Sequence, residues 1–155
     1  MYQVYCDSSL LYSDQIEGYE IFEPKVELEL NKEGKFDFTI YNTHPNFDRM
    51  QRLKSIITIY QDNYLIFRGR ILDDVQGFYN EKQVSCEGEL AFLLDSIQRP
   101  YDFTGTPKEL FTQFITNHNA QVDALHQFKV GNVTVTDPND YISRSDTEYL
   151  NRKLN

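Results

Sequence analysis

Tryptophan is absent from this chain, cysteine occurs twice, and 15 basic residues face 24 acidic ones. Each shortage excludes something. Without Trp the chain lacks the broadest ring for stacking on sugars or bases. Cys6 and Cys86 stand alone in strand-like runs, outside any CxxC pair, so they supply neither a redox motif nor a four-cysteine zinc site. They read as buried free thiols of a cytosolic protein. A net charge of -9 leaves no basic stripe to follow a phosphate backbone, because Arg49, Arg52, Lys54, Arg68 and Arg70 are interleaved with acids. Specific nucleic-acid binding is therefore not expected. No run approaches the roughly 20 apolar residues of a membrane span. The start, MYQVYCDSSLLYSDQ, has neither the basic cluster nor the apolar stretch of a signal peptide. The expectation is synthesis in the cytoplasm without membrane insertion.

Sites of chemistry are equally scarce. The seven glycines are dispersed, which leaves no phosphate-cradling loop, and neither GxSxG nor HExxH occurs. His44, His118 and His126 have no ligand spacing; the group His118, Asp123 and His126 reads as solvated loop side chains. Asp137-Pro138-Asn139-Asp140 begins like a calcium loop but lacks the Gly and distal Glu, so it reads as a turn. Asp73 and Asp74 are strand neighbours and point to opposite faces. No catalytic residue, metal or cofactor is expected.

What the chain does have is alternation. Tyr2 to Cys6 reads as a first strand. Val26, Leu28 and Leu30 alternate with Lys25, Glu27 and Glu29, and Phe36, Phe38 and Ile40 with Lys35, Asp37 and Thr39. Asn31 to Gly34 between them supplies turn chemistry, so this is a hairpin with one dry and one wet face. Pro45 makes Asn42 to Arg52 irregular.

The next hairpin, turning at Gln61-Asp62-Asn63, is apolar on both faces. Leu53, Ile57 and Ile59 share one, and Ile56, Thr58 and Tyr60 the other; Leu65 and Phe67 oppose Tyr64 and Ile66. Such a hairpin is covered on both sides or offers one to a partner. Ile56, Thr58, Tyr60, Tyr64 and Ile66 are therefore the candidate subunit-contact surface. A further hairpin turns at Asn80-Glu81, with Gly77 as a candidate bulge. The period then changes, and Leu90, Leu93, Leu94 and Ile97 form a short helical stripe ended by Arg99-Pro100.

Tyr101 to Gly105 reads as a connector. Thr106-Pro107-Lys108-Glu109 is a capping box opening a helix with the stripe Leu110, Phe111, Phe114 and Ile115. Phe128 to Thr136 reads as a strand or strand pair. Ser145-Asp146-Thr147-Glu148 is a second capping box whose helix is short and without a stop signal.

Taken together, the expected fold is β-rich α+β. An antiparallel β-barrel or sandwich with a short capping helix covers 1–99, and part of a second α+β domain covers 100–155. The sequence is expected to be an N-terminal piece of a longer protein.

The stretch IYQDNYLIFRGRILDDVQGFYNEKQVSCEGELAFLLDSIQRP also resembles the N-terminal region of phage tail hub proteins. These are the tail-associated lysins, or prophage endopeptidase tail proteins, of phages of Gram-positive bacteria. FRGRIL, FYNEKQVSCEGELAFLLDS and QRPY carry the likeness, and TGTPKELFTQFITNHNAQV, FKVGNVTV and YISRSDTEYLN follow in the family's order. The resemblance implies a structural component of the virion tail: a homotrimeric baseplate hub ring that continues the tail tube. Its partners would be the distal tail protein and other tail-tip proteins, and DNA would pass through it. A peptidoglycan-cleaving domain would lie further toward the C-terminus, and no catalytic residue carries over to this chain. Two alternatives stand beside this reading: a receptor- or carbohydrate-binding β module of a tail, and a cell-wall hydrolase fragment.

Overall fold

The computed structural model describes residues 1–135 and, as backbone, 142–146. The chain divides into two compact units, Met1–Ala91 and Phe92–Asn155.

The first unit is one antiparallel sheet of seven strands, curled into a half-barrel. The strands are β1 (Tyr2–Cys6), β2 (Ser9–Ser13), β3 (Phe22–Glu27), β4 (Lys35–Tyr41), β5 (Ile56–Gln61), β6 (Tyr64–Gln76) and β7 (Glu81–Gly88). Their order in space is β2-β1-β5-β6-β7-β4-β3. Alternation sets the core. Val4 and Cys6, Ile57 and Ile59, Phe67 and Ile71, Val84 and Cys86, and Phe36, Phe38 and Ile40 all bury on one face. Phe36 stacks on Phe38 with centroids 5.0 Å apart and meets Phe67 at 5.9 Å. Burying each such side chain stabilises the fold by roughly 1.5–3 kcal/mol.

The turns follow local chemistry. Asp62 and Asn63 both adopt positive φ (49° and 70°), as the two-residue turn that matches strand twist requires. Asn31 and Gly34 also take positive φ in the β3–β4 loop. The dry-and-wet expectation holds for β4, whose Phe36, Phe38 and Ile40 bury. It fails for β3. That strand ends at Glu27, leaving Leu28 and Leu30 exposed in the loop, and Val26 is only partly covered because β3 is an edge. β2 was not anticipated; Asp7, at φ 55°, helps turn β1 back on itself, and Ser9 to Ser13 pair with it. β6 is irregular at Ile66, opposite β5, and between Ile71 and Asp73, opposite β7, but not at Gly77. Gly77 sits instead in the tip of the β6–β7 hairpin, where a Cβ would collide with the Glu81 carboxylate.

A run of 3-10 helix, Glu89–Asp95, follows β7. Its buried residues are Ala91 and Phe92, while Leu90, Leu93, Leu94 and Ile97 remain exposed. The apolar stripe seen in the sequence belongs to α-helical geometry, and the tighter helix turns other residues inward.

The second unit contains β8 (Tyr101–Gly105), α1 (Pro107–Asn119) and β9 (Ile142–Asp146). β8 was expected as a connector; it pairs antiparallel with β9, from Tyr101↔Asp146 to Gly105↔Ile142. The start of α1 is as its sequence dictates. Thr106 Oγ1 accepts the Glu109 N–H, Glu109 Oε2 accepts the Thr106 N–H at 2.9 Å, and Pro107 fills the first helical position. Those bonds hold the Glu109 carboxyl below its usual range. Residues 128–135 form no strand. At Phe128 the Asn119 side chain stands in for a strand partner, accepting the Phe128 N–H at 2.9 Å and donating to its carbonyl at 2.7 Å. The turn expected at Asp137–Asp140 and the helix expected beyond Asp146 lie outside the described residues.

Candidate functional site

The five candidate contact residues do not share one exposed face. Ile56 is buried within its own unit. Thr58 and Tyr60 are half-buried on the face opposite the core, where Tyr60 packs edge-on against Tyr5 at 6.1 Å. With Gln3 and Asn63 they border a shallow groove. Tyr64 is 78 % exposed. Ile66 packs against the core cluster. The cause is a β-bulge: Ile59 pairs with Phe67 but Tyr60 pairs with Leu65, so Ile66 is the extra residue and turns away from the Thr58 side. The two-faced hairpin of the sequence thus spends part of its second apolar set on its own core.

The face opposite the core carries cross-strand charge. Arg70 lies directly across from Glu87, with Nε 2.7 Å from Oε1 and side chains 12 % and 18 % exposed. Arg68 meets Glu89 at 2.9 Å. Burial opposes ionisation of Asp37, but hydrogen bonds from Lys35 and Ser85 outweigh it and hold its carboxyl below the usual value.

A half-barrel has two free edges, and both are guarded. Along β2 the connector residues His44 and Asn46, themselves buried, reach the strand's outward carbonyls. His44 Nε2 lies 2.8 Å from the Leu11 oxygen, and Asn46 Nδ2 donates to Leu10 at 2.8 Å. Along β3, Pro24 has no N–H to offer, and Glu23 before it adopts φ 51°. Proline and irregular backbone are established ways to deny an edge to a foreign strand.

Between the edges lies an apolar cleft of about 500 Å³, lined by Tyr2, Tyr12, Ile21, Pro24, Val26 and Ile66 among others.

The histidines are not solvated. His44, His118 and His126 are all buried. In the second unit His118 Nδ1 lies 2.8 Å from Ser96 Oγ and its Nε2 3.0 Å from the His126 carbonyl. His126 Nδ1 lies 2.9 Å from Asp123 Oδ1, and its ring meets Phe92 edge-on at 4.6 Å. His126 Nε2 has no hydrogen-bond partner. Among the described residues no three potential metal ligands converge. The helix period held the missed signal: His118 falls eight residues after Leu110, on the buried side of α1.

No protein-family model matches the chain, and no curated protein matches it.

Proposed function

We propose that this chain is the N-terminal hub region of a phage or prophage tail tip, a structural part that assembles into a ring continuing the tail tube. The observation that carries the reading is the half-barrel with both edges guarded and an apolar cleft between them. A sheet that denies its edges to strand addition while leaving apolar surface open is suited to meeting partners through side chains. The resemblance of the β5-to-β7 stretch and the helix after it to tail hub proteins supplies the partners: further copies of the chain and the distal tail protein. The net charge of -9 suits a wall past which DNA must slide without adhering. Incorporation into virions would give the chain its final location.

Immunogold electron microscopy of particles induced from the source strain tests the proposal. Antibodies raised against this chain are expected to label the tip of the tail. Label confined to the capsid, or absent from intact particles, overturns it.

A further inference from the structure

The β6–β7 hairpin ends in an aromatic knob. Phe78 and Tyr79 are 92 % and 76 % exposed, the most exposed sequence-adjacent pair of large apolar residues among the described residues, and their rings meet edge-on at 5.3 Å. The tip is held, not loose. Gly77 N–H donates to the Glu81 carbonyl at 2.8 Å, Tyr79 N–H donates to Glu81 Oε2 at 2.8 Å, and Asn80 takes φ 60° to close the turn. A fixed aromatic pair facing water is costly to solubility and is pre-organised for contact, because little freedom is lost when it docks.

The same unit offers an apolar receptacle, the cleft between β2 and β3. Its edges refuse a strand, so it accepts side chains. Its volume of about 500 Å³ is in the range of small-ligand pockets and is large enough for two aromatic rings.

Register keeps the knob from its own cleft. Tyr2, Gln61 and Tyr64 lie together at one end of the sheet, and Ile66 in the cleft is close to that end. Gln76 and Lys82, which bound the knob, lie at the other end beside Tyr41 and Glu81. Ten residues of extended strand separate Ile66 from Gln76, about 33 Å at the rise of a β-strand.

We propose that the Phe78–Tyr79 knob of one copy inserts into the β2–β3 cleft of the next, a head-to-tail contact between copies of this chain. Such a contact uses two different patches, so it closes into a ring or continues as a filament according to the rotation between neighbours. Within the hub reading it is the joint between ring neighbours, and to that extent it rests on that reading. Two aromatic side chains bury about 400 Å² on one side. That is half of what a stable complex buries per partner, so the contact alone is weak. A dissociation constant on the order of 100 μM is expected.

Sedimentation velocity of the chain across a concentration series tests this. The wild type is expected to show rising weight-average mass through that range. The knob variant Phe78→Ala/Tyr79→Ala and the cleft variant Val26→Lys, both altered at exposed positions, should each remain monomeric with unchanged thermal melts. Mixed together they should form a heterodimer and nothing larger, because one intact knob meets one intact cleft. A wild type that stays monomeric to about 1 mM, or association that survives both variants, overturns the contact. Neither result touches the tail-tip labelling, so failure of the joint and failure of the hub assignment are read separately.

Discussion

His44 places its Nε2 2.8 Å from the carbonyl oxygen of Leu11 while its Nδ1 accepts the backbone N–H of Asn46 at 3.0 Å. The second bond assigns the tautomer: the proton is on Nε2, which donates to Leu11. One side chain thereby satisfies a carbonyl on the open edge of β2 and fixes the turn that delivers Asn46 to Leu10.

Replacing His44 with Ala leaves that carbonyl unpaired under cover and should lower stability by about 2 kcal/mol. Urea unfolding followed by far-UV circular dichroism measures it. The variant should also aggregate faster on gentle heating, since the β2 edge becomes available for pairing. Equal stability and equal light scattering would show that the edge is not guarded by this residue.

Arg70 and Glu87 face each other with little exposure. Removing one partner strands the other charge, so Arg70→Met should cost about 3 kcal/mol. Glu87→Leu added to it should cost much less than the sum of the single changes. A double-mutant cycle in urea should return a coupling of at least about 1 kcal/mol; additive losses would mean the pair contributes through packing alone.

Burial pushes the Cys6 thiol from its ordinary value near 9 up to about 11, and Cys86 higher still. Below pH 8 both the folded and the unfolded thiols keep their protons, and stability is unaffected. Above pH 9 the unfolded thiols ionise while the folded ones do not, so stability should fall between pH 9 and 11. The fall from Cys6 alone is roughly 2 kcal/mol. Melting temperatures of the wild type and Cys6→Ala across this window check it, the variant showing the shallower slope. At pH 8 neither thiol should react with an aromatic disulfide reagent until the chain is denatured.

Gly69 pairs with Gly88 across β6 and β7, and the Phe67 ring lies over the bare backbone of both. A Cβ at Gly69 would strike the Glu87 carbonyl and the Phe67 ring. Gly69→Ala should therefore destabilise by about 3 kcal/mol, read as a lowered melting temperature. Ala at Gly131, where nothing lies within 4 Å, is the control and should melt with the wild type.

Local pattern carried part of the sheet and the start of α1. The period-two run at Lys35 to Tyr41 buries the residues its alternation selects, and the Thr106 capping box opens α1 as its sequence dictates. What was not legible depended on distant partners. Tyr101 to Gly105 is a strand only because Ile142 to Asp146 pairs with it, a separation no local window spans. Phe128 to Val135 has strand composition, but the N–H and carbonyl of Phe128, where it begins, are engaged by the Asn119 side chain. The candidate contact surface was split by a bulge at Ile59/Tyr60, which shifts the facing of Ile66 without any signal in residue type. The polar connector hid the edge guard: His44 and Asn46 look like loop residues until β2 is known to lie beneath them.

Pro24, with the left-handed backbone of Glu23 before it, has a consequence for how the protein behaves in a crowded cell. An interrupted edge cannot template its own kind. Newly made copies can accumulate to high local concentration and still separate again, because no continuous ladder of backbone bonds forms between them. An encounter along this edge therefore comes apart instead of growing into a continued sheet.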